Sequence, residues 1–276
     1  MIESRWRIRG GVLTWGDHPL LMGIVNVTPD SFSDGGRFLD PEAAVDHALR
    51  LAEDGADILD IGGESTRPGA EPVPVDEELR RVLPVIETLA ERVALPISID
   101  TTKAAVARAA LEAGAVIVND VSGLRADPEM AAAVREYRAG LCLMHTRGNP
   151  QTMQSLADYR DVVEEVLAEL RGGLKAAEAA GIDAEAVVVD PGLGFAKTPE
   201  HNWQLVARIS RFRELGRPIL VGHSRKRFLR EMVGGDPAAL GRATAGLAML
   251  LAAAGVRILR VHDVGLVRRA LSIPPA

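Results

Sequence analysis

The chain has 276 residues, 47% of them hydrophobic, and a formal net charge of −6. It is long enough to bury one sizeable core, and its acidic balance argues against nucleic acid as a general partner. A single cysteine, Cys142, excludes a disulfide framework or a cysteine-rich zinc site, and its apolar surroundings make it a small buried hydrophobe.

Residues 5–15, RWRIRGGVLTW, alternate around a Gly-Gly pair and predict a hairpin. Eight short apolar runs follow, near 20–25, 57–61, 96–99, 115–118, 141–144, 186–189, 218–221 and 257–261. In each, the apolar stretch gives way at or near its end to a polar or ionisable residue: Asn26, Asp60, Asp100, Asn119, His145, Asp190, His223 and His262. Helical stretches fill the gaps, at 41–54, 75–93, 103–113, 128–138, 158–180, 199–214, 225–232 with 237–254, and 263–271. Asp40-Pro41, Asp127-Pro128 and Thr198-Pro199 read as helix starts. Gly55, Gly114, Gly140, Gly181 and Gly255 read as left-handed helix ends. Strand and helix alternating eight times predict an α/β fold, an eightfold (β/α) TIM barrel. The N-terminal β-hairpin then closes its bottom. The expectation is one domain over 1–276, with the hairpin in 1–19 and the barrel in 20–272. The polar N-terminus is unlike a signal peptide, and ATAGLAMLLAAAG is too short to span a bilayer, so a cytoplasmic protein without a membrane partner is expected.

In such a barrel the residues just past the strand C-termini share one mouth. The run Asn26 to Gly36 offers an amide, hydroxyls and carboxylates, hard oxygen ligands suited to Mg²⁺. Gly62 to Gly69 brings Thr66 and the fork donor Arg67, both suited to phosphate oxygens. Asp100, Asn119 and Asp190 can read the donor–acceptor edge of a heterocycle, or serve as helix caps. Gly222 to Arg227 places cations before a helix, an anion-site pattern. Arg260 and His262 alternate along a strand and share a face; with Arg67 they can clamp a phosphate, and a barrel-edge salt bridge is the other role open to Arg260. His145 is either a packed strand-end histidine or a site residue. Of the 32 basic residues only Lys103, Lys175, Lys197 and Lys226 are lysines, and three of them follow strand ends, where a compact ammonium is useful. The alanine-rich helix 237–254 is core packing or a dimer face.

The motifs MGIVNVTPDSFSDGG, DIGGESTRPGA, ISIDT, VNDVSG, DPGLGFAK, GHSRKR and RVHDV lie in this order between about Leu20 and Val264. On them the chain resembles the dihydropteroate synthases, pterin-binding TIM-barrel enzymes of folate synthesis. The resemblance implies condensation of 6-hydroxymethyl-7,8-dihydropterin pyrophosphate with p-aminobenzoate, giving 7,8-dihydropteroate and pyrophosphate. It implies a pterin site at Asp100, Asn119, Asp190 and Lys226, and a pyrophosphate site at Asn26, Thr66, Arg67, Arg260 and His262. Phe32, Thr66, Pro68, Phe195 and Ser224 would shape the p-aminobenzoate pocket, and Asn26 with Asp34 would hold Mg²⁺. Asp100, Lys226, Arg260 and His262 would carry the catalytic load. A homodimer is also implied. Many members carry a small hydroxyl residue after the lysine; here it is Arg227, which either serves the aminobenzoate carboxylate or points to solvent. The competing readings are a pterin-binding corrinoid methyltransferase, a Schiff-base aldolase using Lys226, and a non-catalytic pterin-binding module.

Overall fold

The computed structural model describes residues 5–28 and 41–272. Strands β1 (Arg5–Ile8) and β2 (Gly11–Thr14) pair antiparallel as the hairpin. Eight parallel strands follow: β3 (Leu20–Asn26), β4 (Ile58–Gly62), β5 (Ile97–Asp100), β6 (Ile117–Asp120), β7 (Gly140–Met144), β8 (Val187–Asp190), β9 (Leu220–Gly222) and β10 (Ile258–Val261). Their ladder order is β8-β7-β6-β5-β4-β3-β10-β9. A bridge between Val189 and Ile219, with the Val189 N–H donating to Pro218 O at 3.0 Å, links the two ends into a ring. Around it run α1 (Pro41–Glu53), α2 (Val75–Arg92), α3 (Ala104–Glu112), α4 (Met130–Tyr137), α5 (Val162–Ala179), α6 (Pro199–Ala207), α7 (Arg227–Met232), α8 (Pro237–Ala253) and α9 (Val264–Leu271).

Alternation along each strand sorts the side chains. Leu21, Leu59, Ile99, Val118, Leu141, Val189, Val221 and Leu259 face the helices and form the outer core. Met22, Ile58, Ile117, Cys142, Val188, Leu220 and Ile258 face inward and fill the lower barrel. Strands apolar on both faces are what a helix-covered parallel barrel requires. The hairpin packs against that lower layer through Trp6, Ile8 and Trp15. The Trp6 indole is fully buried and donates to Ala186 O at 2.8 Å, while Arg7 pairs with Asp183 and Glu185 at 2.9 and 2.6 Å. The hairpin therefore stoppers the end opposite the polar mouth.

Several element boundaries differ from expectation. The region 158–180 becomes helical only at Val162, because Asp161 accepts from Val163 N and Glu164 N at 3.0 and 3.2 Å. The region 199–214 is α6 followed by a 3₁₀ turn, Ile209–Leu215. Thr198 caps α6 reciprocally with His201. Asp127 accepts from Glu129 N at 2.9 Å and from Ala104 N at 2.8 Å, tying two helix starts together. Gly55, Gly114, Gly181 and Gly255 have left-handed φ, as helix ends require. Gly140 is a correction. Arg138 takes the left-handed position after α4, and Gly140 opens β7. A Cβ at Gly140 would lie 2.9 Å from Ile8 Cγ2, so the close approach of the hairpin explains this glycine. Asp40 lies outside the described residues.

Candidate active site

Register places the mouth residues. Asn26 lies opposite Gly62, Gly62 opposite Asp100, Asp100 opposite Asn119, and Arg260 opposite Gly222. With side chains alternating by two, these positions share the inward face, above the apolar lower layer. Asp190 ends β8 and lies opposite Met144.

The centre is an ion-pair network. Arg260 Nε donates to Asp60 Oδ2 and Nη2 to Asp100 Oδ2, each at 2.6 Å. Asn119 Nδ2 donates to Asp60 Oδ2 at 3.0 Å. The second oxygens, Asp60 Oδ1 and Asp100 Oδ1, are buried without a hydrogen-bond partner among the described residues. Such acceptors are costly unless something donates to them. Burial raises the Asp100 carboxyl to about 7, opposed by Arg260 and reinforced by Asp60 and Glu78. The barrel-edge salt-bridge role open to Arg260 is thus filled at two carboxylates. Asp60 was missed as a site residue, although it follows its apolar run as Asp100 does. It sits two residues before the end of β4, one inward position deeper than Gly62.

The second group flanks it. Asp190 Oδ1 accepts from Gly192 N at 2.7 Å, and burial raises its carboxyl. Lys226 precedes α7, and its Nζ lies 4.2 Å from the centre of the Phe195 ring. Burial lowers the Lys226 ammonium to about 8, helped by Arg260 and opposed by Asp190 and Asp100. Its stem passes Gly194, where a Cβ would lie 3.1 Å from Lys226 Cδ.

At the rim, Ser224 Oγ accepts from His262 N at 3.3 Å and pairs with His262 Nδ1 at 3.0 Å. Burial, with Arg225, Arg260, Lys226 and Arg67 adding repulsion, lowers His262 to about 3, so its imidazole is neutral. The Arg67 charge reaches both Lys226 and His262, which puts this exposed residue within range of the mouth. Thr66 is half-buried and Pro68 exposed on the loop after β4. Arg227 is 82% exposed and pairs with Glu231 at 2.6 Å, so it points to solvent. Phe32 and Asp34 lie outside the described residues.

Two further clusters support the loops. Lys103 Nζ joins Glu64, on the loop after β4, to fully buried Glu78, the latter at 2.5 Å, while Arg81 donates to Gly63 O at 2.8 Å. Lys197 Nζ donates to Phe195 O at 2.8 Å and pairs with His145 Nδ1 at 3.0 Å; His145 Nε2 lies 3.1 Å from Glu169. Burial lowers Lys197 to about 7 and His145 to about 3. Among the described residues no cluster of three or more His, Cys, Asp or Glu side chains is arranged to hold a metal.

A family model described as pterin binding enzyme matches residues 22–262. A Synechocystis dihydropteroate synthase is 46% identical over 259 residues, covering 91% of this chain and 87% of the relative. The chain belongs to the dihydropteroate synthase family of pterin-binding enzymes. Solved members superpose closely. The Xanthomonas albilineans dihydropteroate synthase with 4-aminobenzoic acid has a TM-score of 0.90 at 49% identity, covering 98% of this chain and 99% of that one. The same organism's enzyme in complex with 7,8-dihydropteroate has a TM-score of 0.87 at 47% identity, covering 98% and 100%. The dihydropteroate synthase relatives favour this reading over the methyltransferase, aldolase and non-catalytic alternatives. No helix among the described residues is long and apolar enough to cross a membrane.

Proposed function

We propose that this chain joins 6-hydroxymethyl-7,8-dihydropterin pyrophosphate to p-aminobenzoate and releases pyrophosphate and 7,8-dihydropteroate. The observation that carries the reading is the set of buried acceptors in the mouth, Asp100 Oδ1 and the Asp190 carboxylate, beside the Asn119 amide and the Lys226 ammonium. A pterin edge has amino and ring N–H donors for carboxylates, and ring oxygen and nitrogen acceptors for an ammonium. Its flat ring fits beside the Lys226–Phe195 pair.

The reaction breaks the C–O bond between the pterin methylene and the diphosphate and forms a C–N bond to the aryl amine. Cleavage leaves a cationic methylene conjugated with the ring. Ionised Asp100 stabilises that cation, and fixed charges in a water-poor site act more strongly than in bulk. Arg67, with His262 Nε2 as a neutral donor, receives the departing diphosphate; the Nδ1 contact with Ser224 fixes the ring's orientation. Arg260 reaches the same oxygens only with the guanidinium edge its two carboxylates leave free. The amine attacks as a neutral nucleophile and its proton leaves to water or pyrophosphate, so no strong base is needed. Phe195, Thr66 and Pro68 bound the p-aminobenzoate side.

Mg²⁺ is part of the proposal. Asn26, half-buried at the end of β3, supplies an amide oxygen of the hard neutral type that Mg²⁺ takes, and Asp34 is the proposed second ligand. When bound, Mg²⁺ would neutralise charge on the diphosphate. A homodimer is also proposed; Leu250 on α8, 66% exposed, supports an apolar face for a second copy. The small polar substrates fit a cytoplasmic site of action. The test is pyrophosphate release with Mg²⁺ present. Dihydropteroate formation together with pyrophosphate release only when both organic substrates are supplied is the expected result. No dihydropteroate with both supplied would overturn the reading.

A further inference from the structure

The loop after β8 carries two groups of the site, Asp190 and Phe195, and they are anchored differently. Asp190 is held by its own backbone and neighbours: its O accepts from His145 N at 2.9 Å and its Oδ1 from Gly192 N at 2.7 Å. The second half is held at Gly194, whose N–H donates to Asn202 Oδ1 at 2.7 Å, and at the Phe195 carbonyl, which accepts from Lys197 Nζ at 2.8 Å. Lys197 is only 3% exposed. Its ammonium is fixed on the far side by His145 Nδ1 at 3.0 Å. With Nδ1 accepting, the ring proton lies on Nε2 and is donated to Glu169 Oε2 at 3.1 Å. Glu169 Oε1 accepts from Arg147 at 2.5 and 2.9 Å, and Arg147 lies 3.9 Å over the Tyr159 ring. The chain of contacts runs without a break from α5 to the backbone of Phe195.

We propose that Lys197 is a positioning residue for the p-aminobenzoate side of the site, acting through the Phe195 carbonyl. Held there, the Phe195 ring faces Lys226 Nζ at 4.2 Å and walls the second pocket. Asp190 takes its hydrogen bonds from the His145 and Gly192 backbone N–H groups and none from Lys197, whose charge reaches it only through space, so the pterin side depends on Lys197 less than the p-aminobenzoate side does. The inference rests on the function proposed above.

The test is steady-state kinetics on the full chain with Lys197→Met, which keeps length and removes the donors. The expected result is a KM for p-aminobenzoate raised on the order of tenfold, since a shift of about 1 Å in a positioning group has effects of this size or larger. Pterin affinity, measured by calorimetry, stays within about threefold. In a Phe195→Ala background the same substitution adds little further, because the ring through which it acts is gone. Equal loss for both substrates, no loss, or full additivity with Phe195→Ala overturns the proposal. Should Lys197→Met not fold, His145→Gln, which leaves Lys197 in place, is expected to give a smaller shift confined to p-aminobenzoate; no shift overturns it. A wild-type chain inactive with both substrates rejects the reaction itself, whereas an active wild type with unselective variants rejects only this role.

Discussion

The guanidinium of Arg260 reaches the Asp100 carboxylate at 2.6 Å although 160 residues separate the two in the chain. The same guanidinium holds Asp60 at 2.6 Å. One cation between two buried carboxylates leaves surplus negative charge at the bottom of the mouth. A bound pterin contributes the missing N–H donors, and the developing methylene cation contributes the missing charge.

Removing that cation strands both carboxylates. Arg260→Met is expected to lower stability by about 3–5 kcal/mol, the usual cost of leaving buried charge unpaired. Urea denaturation measures it, and adding Asp60→Asn should recover part of the loss. An unchanged midpoint would show that Arg260 does not bridge these groups.

The pH profile follows from the two shifted groups. Asp100, raised to about 7, must be ionised to face the cation, so the rate falls as pH drops below that value. Lys226, lowered to about 8, must be protonated to donate to the ring, so the rate falls as pH rises above it. Measured kcat/KM for the pterin substrate should form a narrow bell between these limbs. Asp100→Asn should be slow and lack the acid limb; an acid limb persisting in this variant would reassign it.

Acid stability isolates a buried imidazole. His223 is fully buried, its Nε2–H donates to Thr244 O at 3.1 Å, and burial lowers it from 6.5 to about 4. Below 6.5 the unfolded chain takes up a proton that the fold refuses, so this histidine costs stability as pH falls toward 4. The melting-temperature gap between wild type and His223→Gln is therefore expected to narrow from pH 7 to pH 4. A constant gap would contradict a neutral buried His223.

The loop after β8 depends on one glycine. Gly192 has φ +69°, and a Cβ there would lie 2.0 Å from His145 O. Gly192→Ala should displace Asp190 and weaken pterin binding on the order of a hundredfold, a size typical of small misplacements. Calorimetric titration with pterin would show it; retained affinity would contradict this account of the turn.

Much of this was legible because the barrel repeats one rule. Each apolar run places its last residues at the mouth, so Asp100, Asn119, Asp190 and Arg260 could be gathered without coordinates. Asp60 escaped because it lies one inward step deeper than the rim, and run endings do not report depth. The lysine hint pointed correctly to Lys103, Lys197 and Lys226 as special, but not to how they differ. Lys103 ties Glu64 to Glu78 and Lys197 grips a carbonyl, contacts set by loops whose path has no periodicity. Gly140 was misread for a related reason. A glycine ending a helix and one admitting Ile8 look identical in sequence.

The most direct test is a crystal soaked with the pterin pyrophosphate substrate. The expected result is the ring's amino edge on Asp190 and Asn119, its carbonyl side toward Lys226, and the diphosphate turned toward Arg67 and His262. A ring bound elsewhere, with Asp100, Asn119, Asp190 and Lys226 all free of it, would contradict the account.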